Sequence, residues 1–140
     1  MLSAKTEYAC LALLQLAAEH GSARPAPLRR LAEEGRIPEG FLVQILQELK
    51  RLGFVVSTRG ASGGYRLARD PAEITVGDVY EALQDQGDAR SNLPEPTPLA
   101  EQLGSLCAEA QRAQRACLRG VTLAELAERC GSQAEAMWYI

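Results

Sequence analysis

Side chains that ordinarily carry enzyme chemistry are scarce in this chain of 140 residues. It has a single histidine, His20, at the end of a predicted helix, and we find no arrangement of a nucleophile with a general base. The glycines at 60, 63 and 64 do not form a phosphate-binding loop, because no helix begins after them. We therefore expect a protein that is not an enzyme.

Signals for membranes, export and disulfide bonds are also missing. The chain has no run of 18 apolar residues, so the sequence predicts no membrane span and no membrane partner. The apolar stretch 11–18 follows Lys5 and Glu7 and lacks the basic start and the cleavage site of a signal peptide. Four cysteines without close spacing agree with a reducing compartment. Together these features predict a cytoplasmic protein.

Charge is divided unevenly along the chain. Hydrophobic residues make up 46% of it, which is typical of a globular protein, and the net charge is −3. Residues 1–70 carry ten Lys/Arg against seven Asp/Glu, whereas residues 71–140 carry five against eleven. This asymmetry indicates a nucleic-acid-binding face in the first half and an acidic remainder that faces elsewhere.

The segment 57–67, with the sequence STRGASGGYRL, is the feature around which the interpretation is built. Three glycines within five residues exclude a helix or a strand interior, so the segment predicts a β-hairpin with a tight, exposed turn after a short apolar strand at 54–56. Arg59 and Arg66 flank that turn. An arginine on a narrow hairpin suits the negative potential of a DNA minor groove. An ordinary solvated hairpin is the alternative.

Helical patterns precede the hairpin at 4–19, from Pro27 to Gly35, and at 38–52. Two short helices joined by a tight turn and followed by a hairpin predict a winged helix-turn-helix. The fold class expected is therefore mainly α with a small β-hairpin.

In a winged helix-turn-helix the start of the third helix enters the major groove. Gln44 could pair with adenine, Glu39 with cytosine, and Val43 with a thymine methyl group, and Gly40 and Gln47 face the same way. Positive side chains nearby are candidates for phosphate contacts, namely Arg29, Arg30, Lys50 and Arg51. For each residue a solvated helix face is the alternative.

The second half predicts a dimerisation element. Thr75 and Asp78 form a capping box that opens a fourth helix, and residues 84–97 read as an exposed linker. A long helix over 98–119 then carries a heptad seam, which favours a dimer interface over an isolated core. The seam consists of Leu99, Leu103, Leu106, Ala110, Ala113 and Cys117.

The predicted division is a winged helix-turn-helix domain at 1–83, a linker at 84–97, the dimerisation helix with a short helix at 98–131, and a tail at 132–140. Thr122 and Glu125 open that short helix, and Gly131 is expected to end it.

The run 49–79, Gly-Gly-Tyr at 63–65 and the opening Tyr8-Ala9 resemble the winged-helix regulators typified by the iron-sulfur-cluster regulator IscR, the nitric-oxide sensor NsrR and the cysteine-metabolism repressor CymR. The resemblance covers about residues 1–83. It implies a homodimer on double-stranded DNA with a long dimerisation helix, and Arg59 corresponds to the arginine that the wing places in the minor groove. The family's base-reading positions correspond here to Pro38, Gly40, Val43 and Gln44.

Cysteine placement separates two branches of this family. The resemblance implies three closely spaced cysteines before the long helix in cluster-binding members, whereas residues 84–106 here contain none. We therefore expect no metal cofactor. A cluster on Cys107 and Cys117 with Glu7 or Cys10 of the other subunit is one alternative. A thiol redox switch is another, and small buried hydrophobic cysteines are the simplest reading.

The last four residues, Met137, Trp138, Tyr139 and Ile140, resemble the tail of the cluster-free cysteine-metabolism repressors. That resemblance implies a partnership with cysteine synthase, which accepts C-terminal isoleucine in its amino-acid site. The α-carboxylate of Ile140 would then stand in for a substrate carboxylate. The alternative is that this tail packs on its own dimer.

The leading hypothesis is a dimeric DNA-binding repressor without a metal centre, tied to sulfur or cysteine supply. The first competitor is a regulator that senses redox state, iron or nitric oxide through an iron-sulfur cluster. The second is an interaction module that keeps the winged fold without binding DNA.

Overall fold

The computed structural model describes residues 2–22, 24–84 and 95–138, with the side chains of the last helix described as far as residue 131. Most of the predicted linker, together with Tyr139 and Ile140, lies outside these residues. The elements in chain order are α1 (Ala4–Ala18), α2 (Leu28–Gly35), α3 (Glu39–Arg51), β1 (Val55–Thr58), β2 (Gly64–Leu67), a 3-10 turn (Pro71–Glu73), α4 (Val76–Leu83), α5 (Pro98–Arg119) and α6 (Leu123–Trp138). The predicted mainly helical fold with one small hairpin is confirmed.

Helix α1 is the centre of the core. It begins at Ser3, whose side chain accepts a hydrogen bond from the Thr6 backbone nitrogen. Apolar residues on more than one side of α1 are buried, and the helix packs against α2, α3, α4, α6 and β2. Ala9 and Ala12 are completely buried, and their small side chains let neighbouring elements approach closely. A helix that is apolar almost all round must be covered on all sides, which explains its central position.

The helix-turn-helix forms as the periodicity predicted, with one exception. Leu42, Ile45, Leu46 and Leu49 bury the inner face of α3. Phe41, which adjoins this apolar stripe in the sequence, is 46% exposed and instead meets the ring of Tyr8 edge-on, with centroids 5.8 Å apart. Leu42 in the same turn is completely buried, so the cause is direction: Phe41 lies about 100° around the helix from Leu42, at the edge of the buried face.

Gly35 was expected to end α2, but Arg36 takes the left-handed capping conformation at φ 53°. Gly35 is the last residue of the helix. A Cβ atom there would lie 2.3 Å from the side-chain nitrogen of Gln15. The space beside Gly35 holds the end of the Gln15 side chain, which donates a hydrogen bond of 3.2 Å to the Leu31 carbonyl, and the left-handed position falls to the next residue.

Strands β1 and β2 pair antiparallel, with Val55 opposite Leu67 and Thr58 opposite Gly64. The hairpin is anchored to the chain before α2, because the backbones of Ala26 and Tyr65 exchange two hydrogen bonds of 2.9 and 2.8 Å. A Cβ atom at Gly64 would lie 2.3 Å from the carbonyl oxygen of Ala26. Only glycine fits at this contact, so Gly64 is what lets the hairpin dock.

Helix α4 begins with the predicted capping box, in which Thr75 and Asp78 each accept a hydrogen bond from the other's backbone nitrogen. Ile74 and Val79 are completely buried beside it. Residues 74–76 also pair with residues 121–123, since the Val76 nitrogen donates to Val121 and the Leu123 nitrogen donates to Ile74. This short bridge connects the winged domain to the end of α5.

Helix α6 is longer than expected. The Thr122 side chain accepts from the Glu125 nitrogen at its start, as predicted, but the helix continues through Gly131 to Trp138. The prediction that Gly131 ends this helix was wrong. One glycine inside a helix costs only about 1 kcal/mol, and helix-forming residues follow it. Within the described ranges, no helix is long and apolar enough to cross a membrane.

Candidate nucleic-acid interface

The start of α3 is an open surface. Pro38 caps the helix with its backbone only, and Pro38, Glu39, Gly40 and Gln44 are all exposed. Val43 is half-buried. Since no side chain caps α3, its first backbone N–H groups face outward, where they can donate hydrogen bonds to a phosphate.

Gly40 has no packing role that explains it. A Cβ atom at this position would meet nothing within 4 Å, in contrast to Gly35 and Gly64. A glycine in open space on a helix lowers stability without any gain inside the chain. Because Gly40 has no side chain, another molecule can approach the backbone of α3 closely there, as DNA does in a helix-turn-helix.

The hairpin projects its arginines away from the core. Val55, on the inner face of β1, is buried, and Tyr65 and Leu67 opposite are partly buried. Arg66 and Val56 alternate with these residues and are exposed on the outer face. Arg59 lies in the turn, is exposed, and precedes Gly60 at φ 109°. The structure therefore places Arg59 at the tip and Arg66 on the outer face of one thin wing.

Lys50 connects the recognition helix to the wing. Its Nζ donates a hydrogen bond of 2.7 Å to the Oγ of Ser57 in β1. Both residues are exposed, so the ammonium group stays accessible at the junction of the two elements. The sequence pattern did not single out Ser57, because the two residues meet only through the packing of β1 on α3.

The two arginines of α2 are already paired with carboxylates. Arg30 Nη2 donates to Glu19 Oε2 at 2.7 Å, its Nη1 also pairs with Glu19, and these hydrogen bonds raise the pKa of the guanidinium. The Nε atom of Arg29 lies 3.5 Å from Oε1 of Glu33 on an exposed face of the helix. A phosphate would have to compete with these partners, so Arg29 and Arg30 are weaker candidates than Arg59 and Lys50.

Helix α5 carries an uncovered apolar stripe. Leu99 is 83% exposed, and Leu103 and Leu106 are each 63% exposed. The other predicted seam residues, Ala110, Ala113 and Cys117, are exposed too, and along this described helix no residue is buried. Only α4 packs extensively against it. Six apolar positions on one face of a helix are left without cover.

The cysteines are distributed over separate elements. Cys107 and Cys117 are exposed on α5, and ten residues of helix separate them by about 15 Å along the axis. Cys130 is exposed on α6. Cys10 is buried in α1, and burial raises the pKa of its thiol to about 11, so it stays protonated at neutral pH.

Comparison with known proteins decides the family. The Rrf2 profile, described as an iron-dependent transcriptional regulator, matches residues 2–129. The chain belongs to the Rrf2 family. It is 31% identical over 140 residues to the HTH-type transcriptional regulator CymR of Bacillus subtilis, a match that covers 99% of each protein. It is 40% identical over 88 residues to the regulator IscR of Aliivibrio salmonicida, which is 63% of this chain and 52% of that protein.

Solved structures agree. The structure of T. potens IscR superposes with a TM-score of 0.77 at 30% identity and covers 93% of this chain and 88% of that one. The structure of CymR of B. subtilis gives a TM-score of 0.77 at 30% identity, over 92% of this chain and 97% of that one. The winged fold is thereby confirmed, and the chain is a DNA-binding transcriptional regulator and not an enzyme.

The donor set does not fit the iron in the family description. Among the described residues of one chain, no group of three or more His, Cys, Asp or Glu side chains could hold a metal ion. Within one chain, Cys107 and Cys117 are too far apart to bind one cluster. We therefore derive no role for iron.

Replacing Arg59 with alanine is expected to weaken binding to a duplex selected from a random pool by about 1–3 kcal/mol, because the wing loses the cation at its tip. Fluorescence anisotropy at one fixed salt concentration measures this loss. Arg129→Ala, on the exposed surface of α6, removes the same charge and is the matched control. Equal affinity of the two variants would remove the wing tip from the interface.

Proposed function

We propose that this Rrf2-family protein is a dimeric repressor that reads two DNA half-sites, works without a metal cluster and responds to cysteine or sulfur supply. The uncovered apolar stripe on α5 carries the proposal. Among the described elements α5 packs extensively only against α4 and not against α3 or the wing, so a second copy can cover the stripe without blocking Gly40 or Arg59.

Burial of the stripe supplies the driving force for association. Exposed leucines on a monomer are an unfavourable surface, and a contiguous apolar face of this kind marks an interaction site. The 22 residues of α5 extend about 33 Å, long enough for a full helix-helix contact. Ala110 and Ala113 have small side chains that let two such helices approach closely. An isologous dimer follows, because the same stripe serves both partners.

A dimer gives the DNA surface its specificity. One recognition helix offers few base-reading side chains, of which Gln44 is the clearest. Two copies related by a two-fold axis read two half-sites at a fixed spacing. Repression then follows from occupancy of an operator that overlaps a promoter.

Introducing a carboxylate into the stripe with Ala110→Glu is expected to yield monomers, because two charges would have to be desolvated at the helix contact. Sedimentation equilibrium measures the mass, and the variant should also lose operator binding. Gln111→Glu changes the next residue, which lies off the stripe, and should stay dimeric. If the Ala110→Glu protein is still a dimer, α5 is not the dimer interface.

Support for a mechanism without a cluster comes from the donor chemistry. Iron-sulfur clusters need several ligands that converge within a few ångströms, and helical geometry holds Cys107 and Cys117 about 15 Å apart. A subunit pairing that supplied further ligands would still bring only one of these thiolates of each chain to one cluster. The cluster-containing sensor is therefore the less favoured function.

Freshly purified protein is expected to be colourless under anaerobic conditions, to contain much less than one iron per chain, and to bind operator unchanged after chelation. Absorption spectroscopy, an iron assay and anisotropy measure these properties. A brown protein with stoichiometric iron whose affinity changes on chelation would contradict the proposal and favour a redox or gas sensor.

The link to cysteine supply rests on the relatives and on the C-terminal residues. CymR of B. subtilis, similar over the whole chain, is described as the global cysteine regulator of that organism. The final Ile140 carries a free carboxylate if it ends the native protein, and such a tail matches the amino-acid site of cysteine synthase in chemistry. We extend the proposal to that partner on these two grounds.

Deleting Ile140 is expected to abolish binding to cysteine synthase, because the shortened tail no longer presents the isoleucine side chain and its carboxylate to the enzyme's amino-acid site. Isothermal titration calorimetry with full-length protein measures the affinity. Ile140→Leu, which keeps the size and the carboxylate, should retain most of it. Undiminished binding by the truncated protein would reject the tail as the contact.

A further inference from the structure

The winged domain and the dimerisation helix meet at one small joint. Two backbone hydrogen bonds join residues 74–76 to residues 121–123, directly after α5 ends. On the other side of the contact α4 packs against α5, and Gly77 and Glu81 of α4 meet Arg119, the last residue of α5. We call the region formed by residues 74–81 and 119–123 the α4–α5 joint. Every change in the direction of α5 relative to the recognition helix has to be accommodated there.

Gly77 is the tightest point of the α4–α5 joint. It is buried, and a Cβ atom at this position would lie 2.8 Å from the backbone nitrogen of Arg119 and 3.0 Å from its Cα. These distances fall well inside the normal van der Waals separation of about 3.5–4.0 Å. The obstacle is backbone and cannot rotate away. Even a methyl group at residue 77 must therefore push α5 away from α4.

Arg119 closes the joint from outside. A Cβ atom at Gly77 would also lie 2.5 Å from Arg119 Cγ, so the arginine's aliphatic part covers the glycine. Its guanidinium then pairs with Glu81, one turn further along α4. Because the ion pair is partly exposed, it adds little to the stability of the fold, and its main effect is on the orientation of α5. It holds the last turn of α5 against one specific face of α4.

The joint is connected rigidly to the DNA-reading surface. Ile74, Val76 and Val79 on the inner side of the joint are buried in the common core. That core contains α1, which packs on both α4 and α3. Close-packed interiors transmit displacement instead of absorbing it. The orientation of α5 is therefore fixed relative to α3 and the wing.

Small changes at the joint have large effects at the far end of α5. The helix is about 33 Å long, so a tilt of about six degrees at Arg119 moves Leu99 by roughly 3 Å. That displacement matches the rise of about 3.4 Å per base pair. Because the proposed dimer contact runs along α5, the tilt changes the distance between the two wings.

We propose that Gly77 and Arg119 are positioning residues that set the half-site spacing this regulator accepts, by fixing the angle at which α5 leaves the winged domain. Neither residue is placed in the DNA-contacting surface. The inference rests on the proposed function, since spacing has meaning only for a dimer on two half-sites.

The test uses the full-length protein and a series of duplexes in which the selected operator carries one or two base pairs inserted or deleted between its half-sites. Gly77→Ala is expected to stay dimeric and to bind a single half-site as before, but to lose roughly five- to hundredfold affinity for the native spacing while its best spacing moves. Arg119→Ala, which loosens the joint, is expected to flatten the spacing profile.

Gly120→Ala is the matched control, because it adds the same methyl group at the same end of α5 where the nearest atom would lie at 3.4 Å. Its spacing profile should equal that of the native protein. The proposal is overturned if Gly77→Ala and Arg119→Ala both keep the native profile, or if each loses affinity equally for half-site and full operator. Should Gly77→Ala fail to fold, Arg119→Ala alone decides.

Failure of the proposed function is recognised separately. Native protein that binds every spacing equally well, or only as a monomer, would refute the dimeric reading of two half-sites before any variant is compared. If the native protein prefers one spacing and only the joint variants lose that preference, the result bears on the joint and leaves the dimeric reading of two half-sites intact.

Discussion

Burial of α1 on nearly every side is the constraint on which the rest of the structure depends. The apolar residues of α1 point in several directions, so the other elements must surround it. The recognition helix, the wing, α4 and α6 each pack against it and take their positions from it. Completely buried alanines at 9 and 12 make these contacts close. The elements that form the candidate DNA-contacting surface therefore share one central support.

Close backbone approaches fix the elements that carry function, whereas the contact surfaces themselves are open. Gly64 lets the wing dock on Ala26, and Gly77 lets α4 meet α5. At both points a side chain would displace a whole element. By contrast, a Cβ atom at Gly40 would meet nothing within 4 Å, and the Arg59 side chain is exposed. The glycines therefore have two roles that the sequence alone does not distinguish: some permit packing inside the chain, and others leave room for a partner.

Local features were predictable from the sequence and long-range ones were not. Apolar periodicity and capping residues are local, so the helices, the hairpin and the Thr75–Asp78 box were predicted closely. The exposure of Phe41 depends on where the core ends, and the pairing of Arg30 with Glu19 depends on how α2 lies against α1. The continuation of α6 past Gly131 shows that one breaker is insufficient to end a helix. The family and the fold indicate which surface faces DNA. The contact made by each individual side chain stays a prediction.

The position of the thiols argues for control through contacts between elements instead of chemistry at a single cysteine. Cys10 is the one cysteine in the described core, and its raised pKa keeps it a poor nucleophile at neutral pH. The other three lie on α5 and α6, beyond the α4–α5 joint. A partner that binds those helices acts on the recognition helix through the joint or through the packing of α6 on α1. An effector needs only to favour one tilt of α5 over another by a few kcal/mol to shift the population of the DNA-binding geometry.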